Sequence, residues 1–494
     1  MDAEQLKKGV ASGRVSSDEL VDIILQQQKL IAELCARLEE AEKEIASLKE
    51  ELAKKNPTER LDEEYSLDAE EKRSRGRRKR KQKSKRRGRR TTAEKLAQAE
   101  RTENVLPEGF CLEDCTLHRR RPVWRIENGR AVLVAYHIYR GPNGQLPLLP
   151  GLLSRCEYGL EILVAVAFLV FIVRLSMDKV CAQLAFFWGL DLSKSQADAL
   201  LNRLAREWEP EFDALCELLA HSAVVHADET SWSINSVWAF LSDKVRVLLF
   251  GVHKDGATLA ALLPKDLFDG VMVSDDAAVY RNFNRAQKCW AHLIRKAIKL
   301  TLLHPENAEY RRFLDGLLAL YGRANRISHD KRLKEQTRRK KVGGLEDELR
   351  TICEARYHDE QEPATDAEAD YLRLVKELMR LLEADELFTF VIYAEVDGTN
   401  NEAERGLRDA AQDRATGRTS KTIRGARRRT VTTSVLETLR LYLPSFTLRS
   451  VLVEVQGWFT NGLSRFRCLL DSLGLSPPVV SPLDVVLPLP KPDG

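Results

Sequence analysis

Twice in this chain an apolar run of strand length stops on an aspartate. Val224-Val225-His226-Ala227 runs into Asp228, and Gly270-Val271-Met272-Val273-Ser274 runs into Asp275. Short runs rich in branched residues and closed by polar turn residues suit buried strands. Two such strands side by side in one sheet bring Asp228 and Asp275 together, and neighbouring carboxylates repel too strongly for both to stay ionised unaided. A divalent cation removes the conflict, and oxygen donors suit Mg²⁺ or Mn²⁺. The competing reading takes each Asp as an ordinary turn residue or helix N-cap.

Residues 222–300 read as an α/β segment with four strands, at 223–227, 237–241, 245–252 and 271–274. Short links join the first three, which implies an antiparallel meander. Residues 255–263 leave room for a helical crossover that returns the fourth strand parallel beside the first. That is the ribonuclease-H-like strand order, and it predicts Asp228 and Asp275 at one rim of adjacent strands. The catalytic core is then 222–300 together with 386–440, interrupted by a charged helical insertion at 301–385.

The formal net charge of +4 conceals a segregation. Residues 72–90 carry 14 Lys or Arg in 19 positions, with Arg77, Arg78, Lys79, Arg80 and Lys81 at their centre, so the rest of the chain is near −10. Such a block cannot fold alone and suits a polyanion, nucleic acid above all. A solvated tail or an import address is the other reading. Residues 57–104 as a whole read as a basic disordered linker.

Before it, residues 17–56 form a heptad pattern. Ile24, Ile31, Leu38, Ile45 and Leu52 occupy one core position, and Leu20, Gln27, Leu34, Ala41 and Leu48 the other. This predicts a parallel coiled coil and a homodimer or larger assembly, against the alternative of a helix packed within the monomer. Residues 105–155 read as a small β-rich module around the turn Glu127-Asn128-Gly129, with Cys111, Cys115 and His118 as a degenerate zinc-like cluster. Residues 156–221 read as helical. Two helices about Trp188-Gly189-Leu190 fit either a helix-turn-helix DNA reader or plain helical packing. Residues 441–494 read as a helix and a Pro-rich extended tail.

Nine cysteines, an odd number at irregular spacing, argue against a disulfide framework and for a reducing compartment. Residues 1–8 lack a signal-peptide core. The longest apolar run, 162–173, is too short to cross a bilayer and reads as a buried helix. These features predict no membrane partner and a cytoplasmic protein.

Downstream, Asn401 and Glu404 have the spacing of a capping box, and Glu404 and Arg408 that of an ion pair one turn apart. Residues 414–429 interleave Arg414, Arg418, Lys421, Arg424, Arg427, Arg428 and Arg429 with Thr, Ser and Gly, which suits phosphate contacts.

Four segments in this order, HADETSW (226–232), SDDAAVY (274–280), CWAHLIRK (289–296) and TNNEAERGLR (399–408), resemble the transposases of the insertion sequence 66 family. The resemblance covers most of residues 17–440. It implies an α/β multidomain protein with a ribonuclease-H-like core and an Asp-Asp-Glu triad, here Asp228, Asp275 and Glu404. Asp276 is the less fitting second Asp, because Tyr280 lies five residues after Asp275 as the motif requires. Glu402 is the decoy for Glu404, which Arg405 follows. His226, Cys289, His292 and Arg295 match as residues supporting the core. Cys289 and His292 give only two ligands, so zinc is not expected.

The implied activity is cleavage and transfer of DNA strands at insertion-sequence ends, with two Mg²⁺ or Mn²⁺ held by the triad. The implied partners are double-stranded DNA with terminal inverted repeats and accessory transposition proteins, at the bacterial nucleoid. Arg405, Arg408, Arg414, Arg418, Lys421 and the 77–81 block are the expected DNA contacts. A structure-selective nuclease of the same fold, or an inactive dimeric DNA binder, are the alternatives. The four-cysteine zinc module typical of the family is reduced here to fragments.

Overall fold

A computed structural model describes residues 90–149, 151–281, 283–357 and 362–489, with isolated positions between 29 and 44. The expected coiled coil and the basic block lie outside the described residues, apart from those isolated positions and Arg90. The chain divides into two units, Met1–Arg90 and Thr91–Gly494. The second unit is a mixed α/β structure.

Order begins earlier than the linker reading allowed. Thr91 and Glu94 form a reciprocal capping box that starts α1 (Thr92–Ala97). Strand β1 (Arg101–Val105) then pairs parallel with β3 (Arg130–Arg140), which is antiparallel to β2 (Thr116–Glu127). The β2–β3 turn is the expected one. Asn128 and Gly129 both have positive φ, 50° and 78°, as a tight two-residue hairpin requires.

Helix α2 (Leu160–Ala167) is buried along its whole length and continues into a π-helical turn at Phe168–Ile172. This is the apolar run read as a buried helix, and among the described residues no helix is long and apolar enough to cross a membrane. Ser176 caps α3 (Met177–Trp188), Gly189 closes it at φ 66°, and Ser193 with Gln196 makes a capping box for α4 (Lys194–Ala220). The hairpin about Gly189 is as expected, and its second helix is long, 27 residues. Leu204, Trp208, Phe212, Leu215 and Leu219 continue its apolar stripe into the core.

A five-stranded sheet comes next, built from β4 (Val224–Ser231), β5 (Ser236–Leu241), β6 (Arg246–Val252), β7 (Val271–Ser274) and β8 (Ala286–Lys288) in the order β6-β5-β4-β7-β8. The first three form an antiparallel meander. After α5 (Gly256–Leu262), capped by Asp255, β7 returns parallel to β4 with Val224 opposite Val271. Strand β8 extends the sheet in parallel beyond β7.

Helix α6 (Trp290–Leu303) leaves β8 and is joined by α7 (Ala308–His329), α8 (Glu335–Tyr357), α9 (Asp366–Glu383) and the short α10 (Thr389–Ile392). These helices share one apolar core with Val271 and Val273 of β7, so the insertion is packed onto the sheet. Helix α11 (Asn401–Ala415) lies over β4 and β5, where Gly406 allows close approach. A Cβ there would sit 3.0 Å from Leu241 Cδ1.

Helix α12 (Ile423–Tyr442) covers the outer edge of β6. Phe250, Leu248 and Arg246 donate their N–H groups to the hydroxyls of Thr430, Ser434 and Thr438 at 2.9, 2.9 and 3.1 Å. Four helical residues rise about 6 Å and two strand residues about 6.7 Å, so a hydroxyl every fourth residue matches every second strand amide. The helix thereby satisfies a sheet edge that would otherwise be open. The chain ends in α13 (Leu448–Asn461), α14 (Arg465–Ser472) and α15 (Pro482–Val486). The Pro-rich tail is not simply extended. Leu483 and Leu487 are buried, and Ser481 donates to Asp213 of α4 at 2.6 Å.

Candidate functional site

Alternation along β4 sends Val225 and Ala227 into the main core and places His226 and Asp228 on the opposite face, under α11. Asp228 sits within the strand rather than after it, paired with Ala239 of β5. Its Oδ1 accepts the Glu229 N–H at 2.9 Å. Burial, then the charge of Glu229, with further contributions from Asp275 and Glu404, pushes the Asp228 carboxyl up to about 7. Asp275 and Glu404 therefore lie close enough for their charges to bear on Asp228.

Asp275 leaves the end of β7 and takes the Ala277 N–H on Oδ1 at 3.0 Å, an Asx turn that fixes the carboxylate at the rim. The adjacent Asp276 is ion-paired to Arg380 of α9. The two aspartates thus face different partners, and Asp275 is the one whose charge bears on Asp228.

The capping-box reading of Asn401 and Glu404 does not hold. Asn400 is the N-cap of α11, and its side chain makes no cap bond. Instead Asn400 Nδ2 donates to the Ala227 carbonyl at 2.7 Å, and its N–H donates to Cys289 Sγ at 3.1 Å. One residue thereby docks the start of α11 against both β4 and α6. Nor does Glu404 pair with Arg408. Arg295 of α6 donates to both its oxygens, at 3.1 and 3.3 Å, and His292 Nδ1 lies 3.7 Å from Oε1. Glu402 points elsewhere, to Arg246 at 3.2 Å, in a group with His226 and Asp397. His226 is buried, and desolvation lowers its pKa against the pull of Glu402 and Asp397.

A cluster the sequence did not reveal lies beside Asp228. Glu229 turns its carboxylate inward, accepts the Tyr280 hydroxyl and pairs with Lys254, just past β6. Burial and the charge of Glu229 hold the Tyr280 hydroxyl well above its ordinary value. Buried Lys288 donates to Ser274 Oγ at 3.2 Å, directly before Asp275. The only sequence signal was position: Glu229 follows the first Asp, and Tyr280 closes the second motif.

The expected cationic residues divide. Arg405, Arg408 and Lys421 make no ion pair or hydrogen bond among the described residues. Arg414 donates to the Ser231 carbonyl at 2.9 Å and to Thr230 Oγ1 at 3.2 Å, three residues or fewer from Asp228 along β4. Arg418 donates to the Arg174 carbonyl. Arg427, Arg428 and Arg429 instead pair inward with Glu209, Asp198 and Asp413. Cys111 and Cys115 lie on the loop before β2, where His118 is part of the strand.

A family model described as "Transposase IS66 family" matches residues 155–428. This chain belongs to that family. The matched span starts just before α2 and ends within α12, so it takes in the sheet, the insertion and all three acids that act on Asp228. No protein of curated function matches the chain. Membership of the transposase family supports action on DNA and dependence on a divalent metal. The donor set fits such an ion: an elevated, half-buried Asp228 among other carboxylates is a site short of positive charge.

Proposed function

We propose that this transposase has a ribonuclease-H-like core and cleaves and joins DNA strands at insertion-sequence ends, with Asp228, Asp275 and Glu404 as its metal-binding triad. The observation that carries the proposal is electrostatic: burial and Glu229, then Asp275 at the end of β7 and Glu404 in the first turn of α11, push Asp228 of β4 up to about 7. The order β6-β5-β4-β7-β8, three strands antiparallel and two parallel, supports the core assignment.

Asp228, Asp275 and Glu404 would together hold two Mg²⁺ or Mn²⁺ ions. When bound, such ions activate an attacking water or 3′-hydroxyl and stabilise the leaving oxygen. The chain itself supplies alignment. Asn400 fixes the helix that bears Glu404, and Tyr280 and Lys254 hold the Glu229 carboxylate in place beside Asp228. Arg405, Arg408, Arg414, Arg418 and Lys421 contact phosphates along the strand, and Arg77, Arg78, Lys79, Arg80 and Lys81 add affinity without reading sequence. A dimer formed through residues 17–56 would present two such sites to paired ends.

Strand cleavage and transfer on DNA bearing the element's own termini test the proposal. Asp228→Asn should abolish both while leaving DNA binding within about twofold, since a neutral isostere removes no phosphate contact. Cleavage without joining would assign a nuclease instead. Retained cleavage in the variant removes Asp228 from the mechanism.

A further inference from the structure

Cys289 and His292, read from the sequence as supporting the core because two ligands do not make a zinc site, are joined by a third metal-binding side chain in the folded chain. Cys289 Sγ, a His292 ring nitrogen and a Glu404 oxygen all lie within 4.8 Å of one another. The sulfur is buried at the N-terminus of α6, where it accepts the Asn400 N–H at 3.1 Å, while the His292 N–H donates to the Cys289 carbonyl at 3.1 Å. A backbone donor aimed at a sulfur suits a metal thiolate better than a thiol. His292 Nδ1 is enclosed and has no hydrogen-bond partner, although the ring edge reaches solvent. A buried ring nitrogen without a partner, aimed at a carboxylate 3.7 Å away, is a donor awaiting a cation.

We propose that Cys289, His292 and Glu404 form a site for a thiophilic divalent cation of the Zn²⁺ class, distinct in ligand chemistry from the carboxylate triad but sharing Glu404 with it. Zinc bonds of about 2.3 Å to sulfur and 2.0 Å to nitrogen set tetrahedral ligand–ligand distances of roughly 3.5 Å, so side-chain closure of about 1 Å completes the site. Mg²⁺ avoids sulfur and imidazole, so of these three ligands it contests only Glu404. The cation takes Glu404 Oε1 while Arg295 keeps Oε2, which pins Glu404 to α6. If Glu404 belongs to the triad, as proposed for strand transfer, that denies the carboxylate to Mg²⁺. Zinc is then a brake on the reaction, applied at the one ligand common to both sites.

The metal-free full-length protein, titrated with Co²⁺ alone, tests the site. The expected result is a thiolate-to-cobalt charge-transfer absorption that Cys289→Ser abolishes and that Cys111→Ser and Cys115→Ser leave intact. His292→Asn and Glu404→Gln should keep the thiolate band but weaken Co²⁺ binding about tenfold or more. Thermal unfolding checks that each variant folds. Should Cys289→Ser fail to fold, the affinity loss in His292→Asn decides. No band in the wild type, or one that persists without Cys289 in a folded variant, overturns the site. Because this readout needs no DNA, it stands or falls independently of strand transfer. In the cleavage assay Zn²⁺ should raise the Mg²⁺ concentration required, and an unchanged requirement overturns the pinning of Glu404.

Discussion

A carboxyl group pushed up to about 7 is half-protonated at neutral pH, so Asp228 stores a cost in the folded protein. The sign comes from linkage. An aspartate with an ordinary pKa when unfolded and a raised one when folded binds more protons in the native state. Its penalty is absent below about pH 4, grows through the interval up to about 7, and is fully present above. Asp228→Asn should therefore stabilise the metal-free protein by roughly 2–4 kcal/mol at about pH 8, and the gain should vanish near pH 4. Thermal unfolding in chelator at both pH values measures this. Added Mg²⁺ should raise the wild-type midpoint and close the gap, because the ion binds the carboxylate and not the amide. A variant less stable than wild type at pH 8 would mean that Asp228 is already compensated within the protein.

At the scale of elements, the edge of β6 depends on three hydroxyls of α12. Ser434→Ala leaves the Leu248 N–H, buried at 2.9 Å from its acceptor, with no partner, and should cost about 1–3 kcal/mol in urea unfolding. Gly251→Ala should cost at least as much. Its φ is +79°, at the irregularity between β5 and β6, and a Cβ would meet Ala426 Cβ at 2.9 Å. Neither dependence could be read in advance, because Thr430, Ser434 and Thr438 look like poor helix formers until the strand beside them is known. Strand β7, by contrast, was legible to the residue: a branched run is closed by Gly270 and Asp275 at its two ends. Strand β8 was not, since Gln287 and Lys288 read as surface residues. Both are buried, and Gln287 is held by the Leu387 carbonyl at 3.1 Å and the Phe390 N–H at 2.9 Å. The same division runs through the site. Asp228 and Asp275 announced themselves through local apolar runs. The partners of Glu404 and Glu229 come from α6 and from beyond β6, contacts that no local pattern encodes. The capping-box spacing of Asn401 and Glu404 misled for the same reason, since Asn400 is recruited by Ala227 and Cys289 instead.

Across the whole molecule, positive charge is concentrated in residues 72–90, outside the family match at 155–428. Outside residues 72–90 the chain is net acidic, but most of that charge falls on residues 1–71, so Thr91–Gly494 is near neutral, and three of the Arg residues whose spacing suits phosphate, 427 to 429, are spent on internal pairs. The folded unit is thus a poor polyelectrolyte partner for DNA, although Arg414 reaches Thr230 and Ser231 close to Asp228. Affinity and alignment should then separate on mutation. Replacing Arg77, Arg78, Lys79, Arg80 and Lys81 together by Gln removes up to five phosphate contacts, each worth about 0.9 in the slope of log K against log salt. The slope measured by fluorescence anisotropy should fall by about 4, while cleavage at saturating DNA and low salt stays within a few-fold of wild type. Replacing Arg405 and Arg408 should do the reverse, changing the slope by no more than about 2 and lowering cleavage at saturation, because those side chains extend from the helix that carries Glu404. An unchanged slope in the first variant would take the block off the DNA and leave it as a solvated tail or an address.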